Sequence, residues 1–314
     1  MKALITGDKG FIGSHLRREL SDHGYSIEGH DKADGDLTHP GVFSAHLDAA
    51  EPDLVIHLAA QVGRLFGEQD LAHTIESNVT MTALVAKACG ERGVPVLYAS
   101  SSEVYGDQGE ECCWEEGPVK LPHNAYGLSK WQGEEFCRLD APEGWKVVRL
   151  SMPYGPGAPP GIGRRALDTF LWQAVHGKAI TVHEGAERSW CWIGDTVAGI
   201  RAVIEDGYQG VWNIGRDDCP ISMLDLAGSC CALAGASPDL IEVVPAPERQ
   251  TVVKRLSTTK LQLLGWEPTV ELEEGLPQVL EWVRRFDAEG RGPFPQVFAE
   301  GGSGRLHRVP VVEP

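Results

Sequence analysis

Tyr126 and Lys130 stand four residues apart, a spacing that puts both side chains on one helix face. A free phenol, with a pKa of about 10, is a poor base at neutral pH. A nearby ammonium favours the phenolate, so the pair can take a proton from a substrate hydroxyl. Ser100, Ser101 and Ser102 close an apolar run that starts at Val94, and Glu103 follows them. A serine just past a strand lies where open α/β sheets hold ligands, and it can hydrogen-bond the same hydroxyl as Tyr126. A carboxylate such as Glu103 can remove a proton that a neighbouring ketone has acidified. Taken singly, each feature also reads as an ordinary helix pair, a polar turn or a solvated carboxylate.

A second set lies at the N-terminus. The apolar run Lys2 to Thr6 leads into Gly7, Gly10 and Gly13, with Phe11 and Ile12 between the last two. Glycines permit positive φ and close approach of a ligand. The following helix, over 14–22, offers unpaired N–H groups to a pyrophosphate. The spacing is G-x-x-G-x-x-G, not the commoner G-x-G-x-x-G. Asp31 ends the next strand and is placed to accept hydrogen bonds from an adenosine ribose. It would repel a 2′-phosphate, which favours NAD over NADP. Asp36 and Leu37 follow on a loop and can border the adenine.

These groups need a scaffold. Strands are expected over 25–30, 53–60, 94–100, 146–150 and 211–214, with helices between them, including about 71–92 and 124–139. Strands alternating with helices imply a parallel, doubly wound α/β sheet. Past Tyr154, helices over 166–175 and 195–206 (Asp195 as N-cap) and near 273–286 suggest a smaller lobe built from discontinuous segments. The chain has 314 residues, 42% hydrophobic and 23% charged, with a formal charge of −17. That charge argues against nucleic acid and anionic membranes as partners. No apolar run is long enough to span a membrane, and the immediate strand leaves no room for a signal peptide. Eight cysteines are scattered without metal-ligand spacing, so no metal site is expected and free thiols in the cytoplasm are.

In order along the chain, these motifs resemble the extended short-chain dehydrogenase/reductase family, in its nucleotide-sugar epimerase/dehydratase branch. The resemblance rests on Thr6-Gly7-x-x-Gly10-x-x-Gly13, Asp31, Asp36-Leu37, His57-Leu58-Ala59-Ala60, Asn78 and Ser100 through Gly106. It continues through Tyr126-x-x-x-Lys130, Arg149-x-x-x-x-Tyr154-Gly-Pro, Arg188-Ser, Asp195, Asn213-Ile-Gly and Leu264-Gly-Trp-x-Pro268. It implies a Rossmann-type fold with tightly held NAD and transient oxidation at C4 of a nucleoside-diphosphate sugar. An NAD-binding domain over 1–165 and 188–215, a substrate lobe over 166–187 and 216–287, and a flexible tail over 288–314 are expected.

The same resemblance makes Ser101, with Ser102 beside it, the catalytic hydroxyl and Tyr126 the base. Lys130 holds the nicotinamide ribose. Leu58, Ala59, Ala60, Asn78 and Ser100 line the cofactor with the glycine turn. Arg188 and Arg255 bind the substrate diphosphate, and Arg64 can reach a carboxylate or phosphate. Homodimerisation is implied. Two departures stand out. Met152 occupies a position where the family often has an asparagine on the substrate. Glu103 matches the glutamate of sugar dehydratases and uronate decarboxylases, yet Gln61 to Arg64 does not look like their corresponding segment. A 4-epimerase is therefore the leading reading. A dehydratase, 5-epimerase or uronate decarboxylase using Glu103 is the alternative. A non-catalytic NAD sensor and a reductase with freely exchanging cofactor also remain.

Overall fold

The computed structural model describes residues 1–109, 111–117, 122–157, 165–216, 218 and 220–289. The expected tail therefore lies outside the described residues from residue 290 on. So do Cys219 and most of the glycine- and proline-rich loop after Gly157.

Six parallel strands form the central sheet: β1 Lys2–Thr6, β2 Ser26–His30, β3 Leu54–His57, β4 Val96–Ser101, β5 Lys146–Leu150 and β6 Gly210–Ile214. Their order is β6-β5-β4-β3-β1-β2. β1 pairs with β2 on one side and β3 on the other, so the chain reverses direction across the sheet between β1 and β3. Ligands bind at such a switch point, beyond the strands' carboxyl ends. The near-unbroken apolar strands, such as Leu-Val-Ile in β3, follow from burial on both faces.

On one face, α1 (Phe11–Asp22) and a helix over Ile193–Glu205 bury Leu16, Leu20, Val197 and Ile200 against Ile5, Ile56 and Leu97. On the other, α2 (Val42–Ala50) and α3 (Met81–Arg92) pack Phe43, Leu47 and Val85 against Leu4, Val55 and Tyr98. α2 is absent from the sequence reading: it starts at a left-handed Gly41 without a side-chain cap, so the usual start mark is missing. α4 (Ala125–Asp140) is capped by Asn124, whose Oδ1 accepts from Gly127 N at 2.8 Å.

The stretch expected as one helix over 71–92 is instead Leu71–Ile75, a π turn Glu76–Thr80, and α3. π turns of this kind collect at functional sites. The helix expected at Asp195 begins two residues earlier, at Ile193. Asp195 does not cap it. Its carboxylate accepts from Thr269 N (3.0 Å), Thr269 Oγ1 (2.8 Å) and Val270 N (3.1 Å).

A second core gathers α5 (Ala166–Val175), α6 (Met223–Ala234) and α7 (Leu272–Ala288) around Trp172, Trp190, Leu226 and Val283. Leu261 and Trp266, expected in this lobe, pack into the sheet's core instead. Trp266 Nε1 donates to Asp195 O at 2.9 Å.

Candidate functional site

The glycine turn is built by contact. Gly7 has φ +73°, and a Cβ there would sit 2.9 Å from Ala59 N, across the switch point. A Cβ on Gly13 would come within 2.2 Å of Gly7 O. The three-residue spacing thus lets β1, the loop after β3 and the first turn of α1 close on one another. Gly10 N donates to Gly7 O at 3.0 Å and fixes the turn. Leu58 N and Ala59 N donate to Thr6 O (3.1 Å) and Thr6 Oγ1 (3.3 Å), which brings 58–60 alongside. Phe11 carries the Arg165 guanidinium 3.7 Å above its ring, a cation beside the turn that the sequence reading missed. This cradle, at a helix N-terminus, fits a dinucleotide pyrophosphate.

Asp31 stands at the end of β2. Its carboxylate caps a short turn by accepting from Lys32 N at 2.6 Å. Asp36 accepts from Thr38 N and Oγ1 (3.0 and 2.8 Å), and Leu37 is buried.

Asn78 lies in the π turn and is fully buried. Its Oδ1 accepts from Gln61 N at 2.7 Å, and its Nδ2 donates to Gln61 O (2.9 Å) and Ser129 Oγ (3.0 Å). Both amide donors are spent on protein. Asn78 ties the loop after β3 to α4. Ser100 is buried as well. Its hydroxyl donates to Glu134, which holds Arg149 by two bonds of 3.0 and 2.7 Å. Arg149 Nη1 donates to Tyr105 Oη, which donates to Asn213 Oδ1, each at 2.8 Å. This buried network fixes β4 and the turn after it. Ser102 is buried at the first position of that turn.

Tyr126 and Ser101 come together. Tyr126 is 8% exposed and shares a hydrogen bond with Ser101, whose Oγ also accepts from Glu103 N at 3.2 Å. Gly67 leaves just enough room for Tyr126: a Cβ at Gly67 would meet the Tyr126 Cβ at 3.1 Å. Burial raises the phenol well above its usual range, the Ser101 bond lowers it, and the Glu103 charge raises it. Lys130, expected to lower it, is not among these influences. Its ammonium donates to Ala99 O at 2.8 Å and lies 4.7 Å from the Tyr98 ring centre. Burial depresses Lys130 to about 7, against Cys137 and Glu134.

Glu103 is the largest surprise. Its Oε1 pairs with Lys254, and its Oε2 accepts from Asn124 Nδ2 (2.8 Å) and Thr251 Oγ1 (3.2 Å). Burial pushes the carboxyl up. The Lys254 charge and hydrogen bond, with Asn124 and Arg188, outweigh it and hold the carboxyl at about 2. Lys254 lies 151 positions away in sequence and carries no motif.

Arg188 is half-buried, and its guanidinium donates to three carbonyls: Glu187 O (2.6 Å), Val252 O (2.7 Å) and Thr251 O (2.5 Å). In this conformation it clamps the segment around Thr251. Arg64 and Arg188 lie close enough to His183 to add to the burial that lowers its pKa. Arg255 Nη2 is 3.6 Å from Glu187 Oε2. Met152 has φ +46°, a left-handed conformation in which asparagine is favoured. Among the described residues no cluster of His, Cys, Asp and Glu could hold a metal ion, and no helix is long and apolar enough to cross a membrane.

Residues 3–215 match the NAD dependent epimerase/dehydratase family. The chain is similar to UDP-glucuronic acid decarboxylase 5 of Arabidopsis thaliana, with 29% identity over 90% of this chain and 89% of that protein. It is also similar to UDP-N-acetyl-alpha-D-glucosaminuronate decarboxylase of Bacillus cytotoxicus, with 27% identity over 91% and 98%. Among solved structures it is similar to the UDP-glucose 4-epimerase of Thermus thermophilus in complex with NAD (TM-score 0.82, 25% identity, 90% and 99% covered). MoeE5 in complex with UDP-glucuronic acid and NAD gives a TM-score of 0.82 at 26% identity, with 91% and 99% covered.

Proposed function

The chain belongs to the NAD-dependent epimerase/dehydratase family, and from that premise we propose that it transiently oxidises C4 of a nucleoside diphosphate sugar and reduces the ketone again at the same carbon. The observation that carries this reading is Tyr126, buried in the first turn of α4 beside Ser101 at the end of β4. Bound at the glycine turn, oxidised NAD supplies a hydride acceptor and a positive charge. Gly7, Gly10 and Gly13 receive its pyrophosphate, Asp31 its adenosine ribose, and Lys130 the nicotinamide ribose. Ser101 orients the C4 hydroxyl, and Tyr126 takes its proton as the ketone forms. Tyr126 returns that proton when the ketone is reduced. Reduction on the opposite face inverts C4, so 4-epimerisation needs no further base.

A second outcome is favoured by a specific observation. Glu103 is tied up by Lys254, and the curated relatives include two decarboxylases of nucleotide-linked uronic acids. Given a uronic acid, the C4 ketone would let the carboxyl leave as CO2 without a base at C5. Arg64 and Arg188, near His183, suit an anionic substrate. We further read the protein as a cytoplasmic homodimer. A groove between α3 and α4, lined by Ala83, Leu84 and Phe136, supports the pairing, and the buried thiols Cys89, Cys137 and Cys191 suit a reducing compartment.

Purified protein is expected to release NAD on denaturation and to convert UDP-glucose or UDP-glucuronic acid, followed by NMR. Tyr126→Phe should retain NAD and lose turnover by about 10²- to 10⁴-fold, the range of a general acid–base group. Wild-type rates in that variant would sink the assignment. Steady consumption of added NADPH would point to a reductase instead.

A further inference from the structure

Glu103 is the carboxylate beside Ser101 and Tyr126, and its charge reaches the phenol. Were it free, it would be the group to remove the C5 hydrogen once C4 is a ketone. It is not free. Oε1 is paired with Lys254, and Oε2 accepts from Asn124 and Thr251. The Lys254 side chain is 2% exposed, so a proton on Glu103 would leave a buried ammonium without its counter-charge.

The segment that carries Lys254 is held from both sides. Val252 N donates to Asp107 Oδ2 at 3.0 Å. Val252 O accepts from Glu187 N at 3.0 Å and from Arg188 Nη1 at 2.7 Å. The Glu103 backbone is fixed too, since a Cβ on Gly127 would fall 2.6 Å from its carbonyl oxygen. Neither partner can turn away without breaking several of these bonds.

We infer that Lys254 is a positioning residue that holds Glu103 as a paired carboxylate, so that the C5 hydrogen of the sugar stays in place while C4 is a ketone. The inference rests on the C4-oxidation reading and sharpens it. Dehydration and 5-epimerisation both break the C5–H bond, and Lys254 closes those outcomes. Inversion at C4 leaves that bond intact. So does loss of CO2 from a uronic acid: the C5–C6 bond breaks, its electron pair passes to the C4 carbonyl as an enolate, and C5 then gains a solvent proton beside its original hydrogen.

The test runs the holoenzyme in 2H2O with UDP-glucose and UDP-glucuronic acid as probes. NMR reads loss of the original C5 hydrogen as a ratio to C4 turnover, which partial unfolding does not move. The wild type should keep that hydrogen in every molecule that has turned over at C4. Lys254→Met should make loss of the C5 hydrogen measurable in sugar that has turned over at C4, and Lys254→Arg should restore retention. Loss of the C5 hydrogen at the rate of C4 turnover in the wild type overturns the inference. So does a folded Lys254→Met with no added loss. If Lys254→Met does not fold, Lys254→Gln, which keeps a donor but no charge, takes its place, and a folded Lys254→Gln without loss of the C5 hydrogen overturns the inference. Failure of both probes to show any C4 chemistry would count against the C4 reading itself, whereas C5 loss with C4 chemistry intact removes only the role of Lys254.

Discussion

At Glu103 a single side-chain partner changes what a carboxylate can do. The motif Ser-Ser-Ser-Glu was legible in the sequence, and so was the Tyr126–Lys130 pair, because their spacing is local. Lys254 was not legible, since nothing in its neighbours marks it and only the fold brings it to Glu103. Lys130, read from the spacing as the cation that favours the Tyr126 phenolate, donates to Ala99 O, and burial, invisible in a spacing, lowers it to about 7. Glu103 makes a pH prediction. Its folded value of about 2 lies below the ordinary 4.5, so the unfolded chain binds more protons in between. The stability it confers is fully present above pH 4.5 and is lost as pH falls toward 2. Denaturant midpoints across that range should fall for the wild type, and Glu103→Gln should remove this part of the fall. Equal slopes would mean the pair is not formed. Met152 makes another prediction. Its left-handed backbone costs on the order of 1 kcal/mol, and asparagine tolerates that region better. Met152→Asn should raise the thermal midpoint, and an unchanged or lower midpoint would show that Met152 packing outweighs the strain.

The elements that hold these residues were largely legible, and the exceptions have physical causes. The strands of the sheet stood out as apolar runs because both faces are buried. α2 was missed for want of a cap. The π turn at Glu76–Thr80 was hidden inside a helical pattern, yet it is what lets Asn78 reach Gln61 and Ser129. Asn78 and Ser100, expected at the cofactor from the resemblance, make hydrogen bonds to Gln61, Ser129 and Glu134 that no local spacing announces. The glycine turn was placed correctly, and its reason emerged only in three dimensions. A methyl at Gly13 would fall 2.2 Å from Gly7 O, a contact that backbone must move to relieve. Gly13→Ala should therefore push α1 from β1, lower the thermal midpoint by several degrees through overpacking of about 1–3 kcal/mol, and release NAD during purification. An alanine variant that keeps both midpoint and cofactor would show that the turn is looser than this packing requires.

Across the whole molecule, two of the cores carry the residues discussed above. One is built on the sheet and holds the glycine turn, Ser101 and Tyr126, and the other carries Arg188 and His183 on its short strands. The sequence reading expected a second lobe but could not say which of its residues pack on the sheet, as Leu261 and Trp266 do. Trp266 and Asp195 join segments 71 positions apart, and Thr251 and Val252 cross from one lobe to the other through Arg188 and Asp107. Such long-range contacts leave no periodic trace. The proposed chemistry needs residues that such contacts bring together, and the most direct test follows C4 of the sugar. UDP-glucose and UDP-glucuronic acid carrying deuterium at C4 should be turned over with the label still on C4 of the product, because the hydrogen that leaves C4 returns there. Label found at C6, or lost to solvent, would contradict transient oxidation and re-reduction at C4.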